Sequence, residues 1–427
     1  MNRSRGVRCS LVLAVTVVAL VVAGCSGPAG QSSLGALAES AQSDAVAPAP
    51  GQVPGSDTAT VLDSMAVTSP TSPAPPPPPP PPPAAVISAT PADGTTGVDP
   101  LAPISVAVGG GTLSSVRVTN PGGEEVPGTL APDGLSWTAA VELGYGTTYT
   151  VAADARNVAG AVSQSQTTFT TVVPGNLTAA SSFPSDGMTV GIGQPISVFF
   201  DEPVADHAAA QQAITVTTAP AQAGGFRWIS DREVRWRPAS YWQPGTTVAV
   251  AVKTYGKNLG NGTYGQADMS FGFAVGRSMV AEIDDNTHTM VVTQDGQVIN
   301  TIPVSMGRDQ YPTYNGVHVV AEKYETKIMD SRTWGLTGAG SYRTAVAWAT
   351  RISDSGEFVH AAPWSVDSQG YENVSHGCVN VSTDAAKWFY DTFIPGDLVI
   401  IGNTVGPPLE VWDGYGDFQM AFEQYVA

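Results

Sequence analysis

Ser375-His376-Gly377-Cys378-Val379-Asn380 is the stretch from which the rest of the chain is read. Cys378 is the only cysteine after Cys25, and His360 precedes the stretch with fourteen residues between. A thiol is a weak nucleophile near neutral pH, because its reference pKa is about 8.5 and the thiolate is the reactive form. A histidine acting as base or imidazolium partner corrects this. Gly377 has no side chain to obstruct a substrate. The turn through His376, Gly377 and Cys378 lets backbone N–H groups converge beside the sulfur, where they can hold an oxyanion. The pattern predicts acyl transfer through a thioester, with Cys378, His360, His376 and Gly377 as catalytic residues. Two other readings compete. Zinc usually takes three or four protein ligands, and nothing in the sequence places His288 or His318 beside Cys378, so no metal site is expected. An inert buried cysteine would want a less polar setting than Ser, His, Gly and Asn.

Around this stretch the sequence predicts a mostly-β domain over 276–405. Met279 to Asp284 and Met290 to Thr293 read as strands, and Gln294-Asp295-Gly296-Gln297 reads as a hairpin turn. Val298 to Met306, Val317 to Lys323, Thr344 to Ile352 and Glu357 to His360 continue the pattern. Ser382 can cap a short helix through Tyr390 that buries Ala385, Trp388 and Phe389. Leu398 to Ile401 is a closing buried strand. The segment 406–427 carries Trp412, Tyr415, Phe418, Phe422 and Tyr425, and is expected to pack back on the catalytic domain and the preceding module.

Upstream lies a repeat. Pro91-Ala92-Asp93-Gly94 followed by Pro103-Ile104-Ser105-Val106 returns as Pro184-Ser185-Asp186-Gly187 followed by Pro195-Ile196-Ser197-Val198. Each copy later enters an alternating run through a Gly-Thr-Thr turn. The spacing predicts two immunoglobulin-like β-sandwich modules, 86–173 and 174–275. In the second, Trp228, Trp236 and Trp242 fall among Arg227, Arg232, Arg235 and Arg237. Core tryptophan with arginine stems on the face is the expected reading, ahead of a sugar or peptide surface. His207 reads as a surface histidine. Asn258 to Gly262 reads as a turn without the carboxylates a calcium loop wants.

Residues 1–25 carry Arg3, Arg5 and Arg8 before an apolar run, Leu11 to Ala23, which is the layout of an export signal. Val22-Ala23-Gly24-Cys25 resembles the lipobox of bacterial lipoproteins. The resemblance implies cleavage before Cys25 and its lipidation, which places the protein on the outer face of the cytoplasmic membrane. An ordinary signal peptide with a chance cysteine is the alternative. Residues 26–85 are dominated by Ala, Ser, Gly, Pro and Gln, with an unbroken proline run, Pro75 to Pro83, and read as a disordered stand-off linker reaching into the cell wall. In an exported chain an unpaired cysteine is kept for its chemistry.

The 427 residues are too many for one core. Charged residues make up 13% and the net charge is −18, which argues against nucleic acid as a partner.

His360 and Ser375 to Asn380 together resemble the signature of the L,D-transpeptidase catalytic domain. Tyr342-Arg343-Thr344, Trp348-Ala349-Thr350, Ala362-Pro363-Trp364-Ser365 and Trp388-Phe389-Tyr390 are similar to its mycobacterial branch, as is the domain order. The resemblance implies Cys378 as nucleophile and His360 as its base, with Tyr342 and the backbone at 376–378 holding the oxyanion. It implies Ser355, Gly356 and Asn380 as contacts to the donor stem peptide and Met329 in a flap over the site. No cofactor is implied. The partners implied are peptidoglycan stem peptides as donor and acceptor, with carbapenem-type β-lactams as inhibitors. The expected reaction is a 3→3 cross-link made with release of D-alanine from a tetrapeptide. An L,D-carboxypeptidase and a non-catalytic wall-binding lipoprotein are the alternatives. One departure stands out: close relatives often carry Ser after the catalytic histidine, and here it is Ala361. A backbone carbonyl there is sufficient to orient the imidazole.

Overall fold

The computed structural model describes residues 79–338 and 341–427. The expected export signal, Cys25 and the linker up to residue 78 lie outside the described residues. Among the described residues no helix is long and apolar enough to cross a membrane. The chain begins to pack before the first strand: Asn157 Nδ2 donates to the carbonyls of Pro82 and Pro83, and Ala85 is buried.

Two four-stranded sheets face each other in the first module. One orders Val86–Thr90, Ile104–Gly109, Ser136–Ala139 and Thr129–Leu130; the other orders Thr95–Val98, Val162–Thr171, Thr148–Asn157 and Gly111–Thr119. The second module repeats that strand order. Its sheets are Ala180–Phe183, Ile196–Phe200, Glu233–Pro238, Gly224–Ser230 and Thr189–Val190, Met269–Val275, Thr247–Val252, Ile214–Ala219. Alternation along Thr148–Asn157, where every second residue is buried, shows why: period-two apolar residues cover one face only. Trp236 and Trp242 are core residues, as expected, and Trp228 stacks on His207 with ring centroids 3.8 Å apart. The modules meet at a tyrosine joint. Tyr145 Oη donates to the Gly265 carbonyl and accepts from Gly256 N–H, while Tyr255 Oη donates to the Leu143 carbonyl.

The third part is built on two sheets. Strands β1 (Met279–Asp284), β2 (Thr289–Gln294), β3 (Gln297–Pro303), β4 (Gly316–Val319) and β9 (Leu398–Gly402) form one, in the order β3-β2-β1-β9-β4. Strands β5 (Lys323–Asp330), β6 (Arg343–Arg351), β7 (Phe358–Ala361) and β8 (Val379–Val381) form the other, in that order. Their inner faces share a core of Met279, Met290, Val359, Val379 and Val399, closed by Phe389 from helix α1 (Thr383–Thr392). Ser382 caps α1 by accepting from Ala385 N–H. The buried face of α1 is Ala386 and Phe389; Ala385 and Trp388 pack at its margin.

Strand β5 differs from the sequence reading, which ended a strand at Lys323. Lys323–Asp330 instead forms a long antiparallel hairpin with β6. Its alternation is weak because most of its residues stay half-buried or exposed, so pattern alone does not reveal it.

The second module and the third part are fused. Leu398 and Val319 belong to the second module's core, and burying each contributes about 2 kcal/mol. Gly191 and Gly193 N–H groups donate to the Pro395 and Gly396 carbonyls at 2.8 Å each. The segment 406–427 packs on both parts. Arg235 pairs with Asp417 at 3.0 Å, and the Arg237 guanidinium lies over Phe418, Phe422 and Tyr425. On the other side Gln419 Nε2 donates to the Val317 carbonyl and Asp413 Oδ1 accepts from Ser355 N–H. Trp412 takes no part and is exposed.

Candidate active site

Strands β7 and β8 run parallel, with Val359 opposite Val379 and His360 opposite Asn380. Valines on both strands point into the core. Residues pleat alternately, so His360 and Asn380 face the other way, into a cavity of about 360 Å³. Cys378, just before β8, lines the same cavity, together with Met329, Tyr342, Trp364 and His376.

The nucleophile turn is held from within. Ser375 Oγ donates to the Cys378 carbonyl at 2.6 Å and accepts from Gly377 N–H at 3.1 Å. Thr313 Oγ1 donates to the Gly377 carbonyl at 2.8 Å. Gly377 has φ +118°, a region that side-chain-bearing residues rarely adopt, although a Cβ there would meet nothing closer than 3.9 Å. Backbone conformation, not space, therefore demands glycine. The Gly377 N–H points to Ser375 and not into the cavity.

His360 is buried, and its Nδ1 lies 2.9 Å from the Ala361 carbonyl. That contact fixes the tautomer and leaves Nε2 as the basic nitrogen. Burial lowers the imidazole's pKa below its usual value, against a smaller opposing effect of the Ala361 carbonyl. Cys378 is half-buried; loss of solvent around its sulfur pushes the thiol up to about 12, the Phe358 N–H opposes this, and the Glu357 carboxylate adds to it. Some cavity solvent reaches the side chain, which tempers the shift without changing its direction. The resting pair is thus a neutral thiol and a neutral imidazole. The Sγ–H also points to the Gly356 carbonyl at 3.7 Å.

His376 is gripped rather than mobile. Its Nε2 accepts from Arg308 Nη2 at 2.6 Å, and its ring packs against Tyr311 and Tyr342 at 4.8 and 4.9 Å. Burial and then the Arg308 charge lower its pKa. The segment expected to form a flap is the β5–β6 hairpin. Met329, near its tip, packs with Val346 and Phe358 beside Cys378. Ser355 and Gly356 lie on the exposed turn before β7, outside the cavity lining; Ser355 Oγ is paired with Ser353 Oγ at 2.9 Å. Asn380 lines the cavity, but its Nδ2 donates to Ser365 Oγ at 3.2 Å.

Sequence reading missed Arg308, Tyr311, Trp364 and Glu357. Trp364 stood within a quoted motif, and its exposed indole at the cavity rim lies 6.2 Å from the His360 ring. Arg308 and Tyr311 come from a loop remote in sequence, with no local signal, and Glu357, just before His360, reads in the sequence only as the start of a strand. Among the described residues no three His, Cys, Asp or Glu side chains converge as a metal site.

A cavity-facing thiol, an oriented neutral imidazole on the neighbouring strand and a covering hairpin define a cysteine acyltransferase. Residues 278–401 match the profile described as L,D-transpeptidase catalytic domain, and 95–258 match one described as bacterial Ig domain. The chain is 46% identical over 343 residues to L,D-transpeptidase 2 of Mycobacterium tuberculosis (strain CDC 1551 / Oshkosh), covering 80% of this chain and 84% of that one. It is 40% identical over 334 residues to L,D-transpeptidase 5 of Mycobacterium tuberculosis (strain ATCC 25618 / H37Rv), covering 76% and 73%. A crystal structure of L,D-transpeptidase 3 from Mycobacterium tuberculosis with a faropenem-derived adduct aligns at 33% identity and TM-score 0.45, covering 52% of this chain and 97% of that one. The chain belongs to the L,D-transpeptidase family. It is a peptidoglycan transpeptidase whose catalytic domain follows immunoglobulin-like sandwiches.

Proposed function

We propose that the reaction is 3→3 cross-linking of peptidoglycan stems through a thioester on Cys378. His360 Nε2 takes the Sγ proton as sulfur attacks the carbonyl of the third, L-centred residue of a donor tetrapeptide. The S–C bond forms, the peptide C–N bond breaks, and the proton passes to the amine of the departing D-alanine. The side-chain amine of a neighbouring stem then attacks the thioester and restores the thiol. The observation that carries this reading is the shared cavity of Cys378 and His360, with Nδ1 of His360 already engaged. Tyr342 and the N–H groups of His376 and Cys378 are assigned to the oxyanion, the Gly377 N–H being turned to Ser375, and Met329 to the flap over the donor. Ser355, Gly356 and Asn380 are assigned to the stem. Among these, the pairing of Asn380 with Ser365 favours a framework part in placing the β8 edge. The same thiol would open the strained ring of a carbapenem and hold the product as a stable acyl-enzyme. The lipobox-like stretch supports lipidation at Cys25, anchoring the enzyme on the outer face of the cytoplasmic membrane, with residues 26 to about 81 as the stand-off, since Pro82 to Ala85 pack on the first module.

Mass spectrometry of the protein incubated with disaccharide-tetrapeptide tests the reaction. A dimer lacking one alanine, with fragmentation placing the bond at 3→3, is expected. Tripeptide monomer without dimer would instead assign an L,D-carboxypeptidase. Full activity in Cys378→Ala would sink the thiol mechanism.

A further inference from the structure

Arg308 reaches the site from the loop between β3 and β4, and its Nη2 lies 2.6 Å from Nε2 of His376. A guanidinium has five N–H donors and no acceptor, and it stays protonated in proteins. The contact therefore forms only to an unprotonated Nε2. An imidazolium and the Nε2–H tautomer are both excluded, because each would set two donors face to face. The ring is neutral and carries its one proton on Nδ1. The distance is that of a charge-assisted hydrogen bond, and the Arg308 cation spends it on a neutral ring rather than on a carboxylate.

The loop is stitched to the nucleophile turn. Arg308 N–H donates to the Ser375 carbonyl at 3.2 Å, Ser375 N–H donates to the Met306 carbonyl at 3.0 Å, and Tyr311 N–H returns to the Arg308 carbonyl at 2.7 Å. A Cβ on Gly307 would lie 2.2 Å from the Tyr311 carbonyl oxygen, so this turn closes only over glycine. The guanidinium lies 5.0 Å from the centroid of the Tyr311 ring. The titratable and charged groups facing His376 are Arg308 and Tyr311 from this loop, Tyr342 just before β6, and Cys378 and His360 in the shared cavity. An unheld imidazole has a pKa of about 6.5, so near neutral pH its charge and its tautomer would both fluctuate. A free Nε2 there would compete with His360 for the thiol proton. An imidazolium there would oppose the positive charge that His360 takes on in accepting it. Burial and the Arg308 charge both disfavour that ionised form.

We propose that Arg308 is a positioning residue for the transpeptidation: it holds His376 as a neutral imidazole with its proton on Nδ1, so that the site carries one base, His360, and one fixed donor, His376. Nδ1 is the only nitrogen of His376 left to meet a ligand, and it offers a proton rather than a lone pair. A carbonyl or carboxylate oxygen of the stem peptide suits it, and an amine does not. The two imidazoles of the site thus share a tautomer and differ in which nitrogen is engaged: Nδ1 of His360 is taken by the Ala361 carbonyl, and Nε2 of His376 by Arg308. This rests on the thiol mechanism proposed above.

The test is NMR of the protein labelled with ¹⁵N-histidine, which requires no turnover and has only 5 histidines to resolve. In wild type the His376 ring should keep its proton on Nδ1 and show no titration between about pH 6 and pH 8. In Arg308→Met the ring should titrate near pH 6.5 with mixed tautomers. An ammonium also donates without accepting, so Arg308→Lys should restore the wild-type signature. Release of D-alanine supplies the second readout. About three-quarters of free imidazoles are charged at pH 6, so kcat/KM of Arg308→Met should fall about threefold to fourfold further than wild type between pH 8 and pH 6. A wild-type ring that titrates in that range or carries its proton on Nε2 would overturn the proposal. So would a His376 signature unchanged in Arg308→Met, which would leave Arg308 a packing role only. If Arg308→Met does not fold, by near-UV circular dichroism, Arg308→Gln decides in its place, because an amide accepts as well as donates and should release the ring to titrate. Failure of the thiol mechanism would appear separately, as activity in Cys378→Ala.

Discussion

Nδ1 of His360 lies 2.9 Å from the carbonyl oxygen of Ala361, its own chain neighbour on a buried strand. The imidazole is thus oriented by backbone, and the side chain at 361 is dispensable for that purpose. Ala361→Ser should keep kcat/KM within about threefold, the span of well under 1.4 kcal/mol. His360→Gln should lower it by about a hundred- to ten-thousandfold, the range for a positioned general base. Steady-state release of D-alanine measures both. A large gain from Ala361→Ser would show that a hydroxyl, not the carbonyl, is wanted there.

The neutral pair sets the pH dependence. A base must be unprotonated to act, and burial lowers His360, so activity should rise along an acid limb whose midpoint lies below 6.5. The thiol is pushed up to about 12, so no plateau of thiolate should appear in the neutral range. Rapid iodoacetamide labelling at pH 5 would instead reveal a resting thiolate–imidazolium pair and contradict this account.

Asp417 is fully buried against Arg235 and accepts from Tyr425 Oη at 2.8 Å. Its loss takes one of the two carboxylates from the buried Arg235, which keeps Glu233 at 2.6 Å, and leaves the buried Tyr425 hydroxyl without its acceptor, at a cost of about 1–3 kcal/mol. Asp417→Ala should therefore lower Tm markedly. Asp413→Ala removes only the acceptor for Ser355 N–H; it should leave Tm nearly unchanged and raise KM for the donor. Differential scanning calorimetry and donor titration separate the two.

Asp397 sits at the junction with the second module, and burial pushes its carboxyl up to about 7 despite the Ile394 N–H and Arg277. One of its oxygens, Oδ1, has no hydrogen-bond partner among the described residues. A carboxyl whose folded pKa lies above its unfolded value of about 4 binds its proton better when folded. Its contribution is complete below pH 4 and is lost as pH climbs through about 7. Denaturant midpoints should fall over that interval, and Asp397→Asn should flatten the fall.

Much of this was legible because it is local. The Gly-Thr-Thr turns and alternating runs define the two sandwiches, Ser382 announces the helix, and Cys378 with His360 marks the chemistry. What stayed hidden depends on folding at a distance. Strand β5 shows little alternation because its hairpin is half-covered on both faces. Arg308 reaches His376 from a loop far upstream, and Glu357 finds His318 across two sheets. Gly377 was read as clearance for a substrate, and its φ shows a conformational need instead.

The two joints along the chain are unequal, and this fixes a load path. The first sandwich meets the second through tyrosine hydroxyls and rings, while the second meets the catalytic part through a shared core, backbone bonds and the clasp of 406–427. Tension between Pro82 and the catalytic part would load both joints equally, so the tyrosine joint, held by fewer contacts, should part first, as a mechanical fuse that spares the alignment of Cys378 with His360.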